Sequence, residues 1–147
     1  MPNDARRYVV DGAMVRDLKS MCEAFALAVA APRGYFGFDL QSFDDCLFCG
    51  FGLEAPCVIV WRNASASRVA LDGRALARAC EDALTRRQFL DDEGGRWLYQ
   101  AMEDGLAGRR TLFDEVVGMI TSVTARAAPK GWSVELVLQE GDMPLTG

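Results

Sequence analysis

Two carboxylates and two cysteines stand close together in the stretch GYFGFDLQSFDDCLFCG, residues 34–50. Asp44 and Asp45 are the residue type that general acid and base catalysis uses. Cys46 and Cys49 have the two-residue separation of a redox or metal-binding pair. The residue types in this stretch are therefore compatible with three kinds of chemistry: hydrolysis, thiol redox exchange and metal binding.

A catalytic role for the two aspartates is disfavoured by their spacing. Neighbouring residues of a helix point about 100° apart, so Asp44 and Asp45 would not converge on one substrate. The chain also contains no histidine. This absence excludes Ser-His and Cys-His catalysis and every histidine-bearing metal site. We expect a protein that is not an enzyme.

The cysteines are equally poor candidates for redox or metal chemistry. A thioredoxin-type pair needs its first cysteine at a helix N-terminus, whereas Cys46 comes late in a predicted helix and follows two acids. Zinc would need two more ligands, and the other cysteines are isolated. Residues 34–37 are too short and too acid-flanked for a phosphate-binding loop. We expect neither a metal nor a cofactor.

The helix predicted from about Asp39 has one apolar side. Its helical spacing places three residues on the inward face: Leu40, Phe43 and Leu47. Asp45 then points nearly the opposite way, and Asp39 is positioned to cap the helix through its amides. Gln41 lies one turn before Asp45 on the same exposed face, Phe48 is nearby, and Asp44 lies at the edge of the apolar stripe.

The aromatic loop before this helix suggests a binding surface. Tyr35, Phe36 and Phe38 cannot all turn inward from a loop flanked by Gly34 and Gly37, so at least one should be exposed beside a carboxylate. Aromatics with carboxylates suit an interface for a cationic protein. The competing interpretation is that the two aspartates are simply solvated surface charges.

Composition favours a basic protein partner. The chain has 147 residues, 16 of them basic and 21 acidic, so its field repels nucleic acid and anionic membranes. It has no apolar run of about 18 residues and no signal-peptide pattern at the N-terminus. The chain has an odd number of cysteines, five, which argues against a disulfide framework. We expect a single-domain, cytoplasmic monomer.

The predicted elements describe an α/β fold. Strands are predicted at 7–10, 57–61 and 134–138, the second of them a buried, central and parallel strand. Helices are predicted at 15–29, from 39, as two short helices within 64–87, as one small helix within 88–108 next to a break at Gly94-Gly95, and from Thr111. Helices between strands favour a small parallel sheet with helical cover.

These motifs together resemble the barstar family of ribonuclease inhibitors. The resemblance rests on a helix containing Asp17-Leu18, then Tyr35-Phe36-Gly37, Leu40, Asp45-Cys46-Leu47, Pro56 and Trp61-Arg62. It covers roughly residues 7–62, and residues 111–139 agree with it in order and length. Within one domain, 1–147, residues 72–110 look like a helical insertion and 141–147 like a flexible tail.

The resemblance implies a three-stranded parallel sheet with flanking helices. It also implies an inhibitor whose loop and second helix block the active site of a small basic ribonuclease, either a toxin or an extracellular enzyme. Tyr35 matches the family's loop tyrosine, and Asp45 matches the later of its two contact aspartates. Gln41 stands where the earlier aspartate would be, and Asp44 replaces a bulky aromatic, which implies a target other than barnase.

The residues expected at the interface are therefore Tyr35, Gly37, Asp39, Gln41, Asp44, Asp45 and Phe48. The alternative function is an immunity or regulatory protein of the same fold for a toxin that is not a ribonuclease, or for another basic partner. An acidic cluster at residues 91–93 could be a second contact surface or the solvated start of a helix.

Overall fold

The sheet is parallel and has three strands. The computed structural model describes residues 6–48, 50–86 and 92–141. In spatial order the strands are β1 (Arg6–Asp11), β2 (Cys57–Arg62) and β3 (Val134–Leu138). Cys57 pairs with Arg6 on one side and with Val134 on the other. The prediction of a central, parallel second strand is confirmed, and so is the α/β fold class.

Helices make the crossovers that parallel strands require. The described residues form α1 (Leu18–Ala28), α2 (Leu40–Cys46), α3 (Ala64–Ala70), α4 (Gly73–Arg86), α5 (Asp92–Leu106) and α6 (Leu112–Arg126). α1 and α2 both begin with an aspartate whose carboxylate accepts a backbone hydrogen bond from a serine in the first turn. Thr111 caps α6 as predicted, its hydroxyl accepting from the Asp114 amide at 3.0 Å.

The predicted break at Gly94-Gly95 is wrong. Both glycines lie inside α5, which is a 15-residue helix rather than a small one. Two glycines cost a helix about 1 kcal/mol each. Burial of Leu98 and Ala101 opposes that cost, and the exposed Asp92 and Glu93 in the first turn favour the helix electrostatically.

α4 and α5 make up most of residues 72–110 and pack against each other. Gly73 and Gly105 permit their closest approach, because a Cβ atom on either glycine would collide with the backbone of the other. α4 has 14 residues, so the second of the two helices predicted within 64–87 is longer than expected. That residues 72–110 are an insertion stays a prediction, and the predicted tail lies outside the described residues except for Gly141.

The core is built around a chain of aromatic rings. Phe25 contacts Phe43 edge-on at 5.0 Å and Trp61 at 5.4 Å between ring centroids. Trp61 continues the chain to Phe113 on α6 at 5.3 Å. These contacts join α1, α2, β2 and α6 into one core. None of the helices in the described ranges is long and apolar enough to span a bilayer.

Candidate protein-binding site

The aromatic loop sends one ring inward and leaves two outside. Phe36 is 1% exposed and stacks on Phe25 at 5.7 Å. Tyr35 and Phe38 are 39% and 50% exposed, and the Tyr35 ring leans against Phe51 at 6.0 Å. The expectation that at least one loop aromatic stays exposed is confirmed.

Gly37 allows this loop to pass directly over α2. Its φ angle is +94°, in the region that favours glycine. A Cβ atom there would lie 2.7 Å from both the nitrogen and the Cα of Phe43. The next amide, that of Phe38, donates to the Ser42 hydroxyl at 2.9 Å. The loop is thus attached to the first turn of the helix that it precedes.

Asp39 starts α2 as the sequence predicts. Its carboxylate accepts from the Ser42 amide at 2.8 Å and from the Ser42 hydroxyl at 2.6 Å. The Ser42 hydroxyl in turn accepts from the Asp39 amide at 3.0 Å, which completes a capping box. The Asp39 side chain is therefore occupied in fixing the start of the helix.

The two faces of α2 agree with the predicted periodicity. Its inward face is buried: Leu40, Phe43 and Leu47. Gln41 and Asp45 are exposed on the other side. The Asp45 carboxylate forms neither a hydrogen bond nor an ion pair with the described part of the chain. Asp45 therefore presents its charge to solvent from a helix whose opposite face is packed in the core.

Asp44 is bound by an arginine from the last helix. Arg126 donates from its two terminal nitrogens to the two Asp44 oxygens, at 2.6 and 2.9 Å. It also donates to the Met119 carbonyl at 3.1 Å and to the Ser122 hydroxyl at 2.9 Å. The Asp44 carboxylate raises the pKa of Arg126. Asp44 is thus partly buried and paired, whereas its neighbour Asp45 is exposed.

Phe48 completes this arrangement. The Arg126 guanidinium lies over the Phe48 ring, 4.7 Å from its centroid. Arg126 was not among the residues predicted for the site. Its only signal in the sequence is a basic residue in the last turn of α6, where a cation also suits the helix dipole.

The sequence of the chain matches the model of a known protein family. The chain matches the sequence model of the family described as Barstar (barnase inhibitor) over residues 5–100, which is 96 of its 147 residues. The chain belongs to the barstar family. No curated protein matches it. The barstar match includes all seven residues expected at the interface, while α6 and its Arg126 lie beyond the matched range.

Two buried thiols of this barstar-family chain, Cys22 and Cys46, are unsuited to redox chemistry. Burial, and then the charge of Asp45, raise the pKa of Cys46 to about 11. Burial also raises the pKa of Cys22 to about 12. Both groups are protonated at neutral pH, whereas redox chemistry needs a thiolate. Cys49 lies outside the described residues, among which no group of three or more potential ligands could bind a metal.

A groove of about 270 Å³ opens beside α2. Asp39, Gln41 and Asp44 line it on the α2 side, and Trp97 and Leu98 of α5 line it on the other. The surface on this side of α2 is therefore concave, with acidic and polar groups facing apolar ones, and Arg86 of α4 belongs to the same lining. Its apolar wall can pack against the stem of a long side chain of a partner.

Proposed function

We propose that this chain inhibits a small basic ribonuclease by placing the Tyr35 loop and the exposed face of α2 in the active site of the enzyme. The observation that carries the proposal is Asp45, an exposed carboxylate without a partner among the described residues, on a helix held by its Asp39 cap, its buried face and the Asp44–Arg126 pair. Membership of the barstar family, whose description names barnase inhibition, supports the same function.

The chemistry of a ribonuclease site explains why such a carboxylate binds there. A site that holds the phosphates of RNA gathers arginine and lysine, and a carboxylate can occupy their positions through charge-assisted hydrogen bonds. The bonds are strongest when the carboxylate is presented rigidly, because little conformational entropy is then lost. The inhibitor performs no reaction of its own.

The predicted contact residues divide into two groups on this proposal. Tyr35, Gln41 and Asp45 are exposed and would contact the enzyme directly. Gly37, Asp39, Asp44 and Phe48 would act mainly by shaping the loop and helix, since their groups are engaged within the chain. Gln41 keeps hydrogen-bonding ability but lacks charge, so the enzyme contacted there should offer a neutral group or a single donor.

The protein is overall negative, with a formal charge of −5, and this favours a basic enzyme. Opposite fields steer two proteins together and accelerate their association, and salt screens the effect. We therefore expect the association rate to fall as ionic strength rises, even when the complex, once formed, remains tight.

The deciding experiment captures the target and measures inhibition. Wild-type protein, Asp45→Ala and the control Glu81→Ala serve as baits for a lysate of the source organism, in low and high salt. Glu81 is likewise exposed, but it lies on α4 and does not line the groove beside α2. Captured proteins are then assayed for RNA cleavage with and without added inhibitor.

The proposal requires that wild type and Glu81→Ala capture a basic ribonuclease and abolish its RNA cleavage, while Asp45→Ala loses at least roughly 30-fold in affinity. Capture of a basic protein that does not cleave RNA would favour the alternative function, an immunity or regulatory protein. Equal inhibition by wild type and Asp45→Ala would contradict the assigned site.

A further inference from the structure

A second groove, of about 570 Å³, collects basic residues in this acidic protein. It lies between the start of α1 and one face of α4, and five of the 16 basic residues of the chain line it: Arg16, Lys19, Arg74, Arg78 and Arg86. All five are exposed. Within the described ranges none of them forms an ion pair with a carboxylate.

Three of the arginines form a row on α4. Arg74 and Arg78 are four residues apart, and Arg86 follows eight residues later on the same face. Four residues correspond to about 6 Å along a helix. Arg86 lies over the half-exposed ring of Phe38, 5.2 Å from its centroid. The row therefore ends at the aromatic loop of the proposed inhibitory site.

The acids that also line this groove are mostly bound to their own helices. Asp17 accepts from the Ser20 amide at 2.8 Å, and Asp72 accepts from the Ala75 amide at 2.9 Å. Asp39 caps α2 in the same way. Asp82 is the fourth acid, and it stands between Arg78 and Arg86 on the helix. The four acids offset much of the positive charge of the groove, but within the described ranges none of the guanidinium groups is bound to a carboxylate.

The two grooves are continuous. Asp39, Ala79 and Arg86 line both of them. A partner seated on α2 therefore reaches the near end of the basic groove without moving to another face of the molecule.

We propose that the basic groove is a second contact surface for the enzyme bound by α2, and that it takes carboxylate side chains of that enzyme. This inference rests on the proposed function. The groove gives the binding face both signs of charge, acidic at α2 and basic along α4. A binding face with charges of both signs attracts the partner and also fixes its orientation. The opposite orientation would place like charges of the two proteins together.

Protein carboxylates fit this groove better than the phosphates of RNA do. The whole chain carries −5, and four acids lie among the five cations, so a polyanion is repelled overall. A basic enzyme is attracted as a whole and needs only a few acids at this point of its surface. Arginine matches a carboxylate with two parallel hydrogen bonds.

The test uses a rhodamine-labelled peptide with two glutamates and two lysines, the glutamate peptide, as a carboxylate probe without net charge, and a labelled RNA octamer beside it, at low ionic strength. Fluorescence anisotropy compares wild type with the double variant Arg74→Gln/Arg78→Gln. The control Arg7→Gln/Arg96→Gln removes the same charge from exposed arginines outside the groove. Circular dichroism melting verifies that each variant is folded.

We expect the glutamate peptide to bind wild type and the control equally and to bind the groove variant roughly tenfold more weakly, since each exposed pair contributes about two- to fivefold. Equal binding by all three, or no binding to wild type, would overturn the proposal. Preferential binding of the RNA octamer in the groove would overturn the carboxylate assignment.

A second arm separates this inference from the proposed function. Asp45→Ala should still bind the glutamate peptide, whereas the groove variant should bind the captured ribonuclease more weakly than the control does. If the groove variant binds the ribonuclease as tightly as the control, the second contact surface is excluded and the inhibitor function stands. If no variant and no wild-type protein binds a ribonuclease, the proposed function itself fails.

Discussion

The Arg126 guanidinium and the Asp44 carboxylate, 82 residues apart in the chain, form two hydrogen bonds of 2.6 and 2.9 Å. The pair fastens α2 to α6 from the outer side, while Phe43 anchors α2 from the core. Arg126 also shields Asp44 from solvent and from a partner. Of the two adjacent aspartates, only Asp45 then offers its full charge outward.

Removing Arg126 should therefore loosen α2. We expect Arg126→Ala to lower the free energy of unfolding by about 1 kcal/mol, a modest value because the pair is partly exposed. Urea denaturation of Arg126→Ala, Asp44→Ala and the double variant gives the coupling energy, which should be about 0.5–1 kcal/mol. A coupling of zero would mean that the pair does not stabilise the attachment of α2.

Asp44 and Asp45 provide a matched pair of substitutions. Asp45→Asn should leave the free energy of unfolding within about 0.5 kcal/mol of wild type, because the carboxylate has no partner among the described residues. Asp44→Asn should destabilise the fold by about 1 kcal/mol, since it weakens the bond to Arg126.

Binding to the captured enzyme should reverse this order. Surface plasmon resonance is expected to show the larger loss of affinity for Asp45→Asn and the smaller one for Asp44→Asn. The opposite ranking would assign the anchor to Asp44 and contradict the division of roles that the structure supports.

The elements were predictable wherever the local pattern and the tertiary burial agree. The run 57–61 is apolar at every position and follows a proline, which favours a strand buried on both faces, and β2 is that strand, buried at each of these positions except the half-buried Val58. The inward residues of α2 follow directly from helical periodicity. α5 could not be predicted correctly, because two glycines weaken the local signal and the burial that outweighs them comes from α4.

The candidate site was predictable in its local part only. Asp39, Asp45 and the loop aromatics belong to one short segment, so their relation follows from chain geometry. Arg126 was missed because nothing local connects it with Asp44. The basic groove was missed for the same reason, since Arg16 and Arg74 meet only when α1 and α4 have packed.

Gly37 should be essential for the shape of the loop. Gly37→Ala places a side chain at a φ of +94° and 2.7 Å from the Phe43 backbone, so we expect a loss of about 2–4 kcal/mol in urea denaturation. Gly34→Ala is the control, because Gly34 also has a positive φ, +69°, but its Cβ would meet open space. That variant should lose only about 1 kcal/mol. Equal losses would show that the contact with α2 is unimportant.

Ser67 should stabilise the core through two buried hydrogen bonds. The Trp61 indole N–H donates to its hydroxyl at 2.9 Å, and the hydroxyl donates to the Gly12 carbonyl at 2.9 Å. Ser67→Ala leaves both groups unpaired, which should cost about 1–3 kcal/mol. Ser65→Ala, at an exposed position on the same helix, should cost less than about 0.5 kcal/mol in the same denaturation experiment. A small effect of Ser67→Ala would mean that another group replaces the hydroxyl.

The buried thiols should make stability depend on pH in the alkaline range. The ordinary thiol pKa is about 9, and burial raises the pKa of Cys22 to about 12 and that of Cys46 to about 11. Above pH 9 the unfolded chain releases these protons while the folded chain retains them, so the free energy of unfolding should fall as pH rises. The loss should reach about 1 kcal/mol for each thiol by pH 10.

Urea midpoints measured between pH 7 and pH 10 test this for wild type and for Cys22→Ala/Cys46→Ala. All other titratable groups are common to both proteins, so the difference between the two slopes isolates these two thiols. The variant should be less stable at pH 7 and should lose less stability on going to pH 10. Parallel slopes would show that the two thiols ionise alike in the folded and unfolded chains. They would contradict the raised pKa of Cys46 beside Asp45.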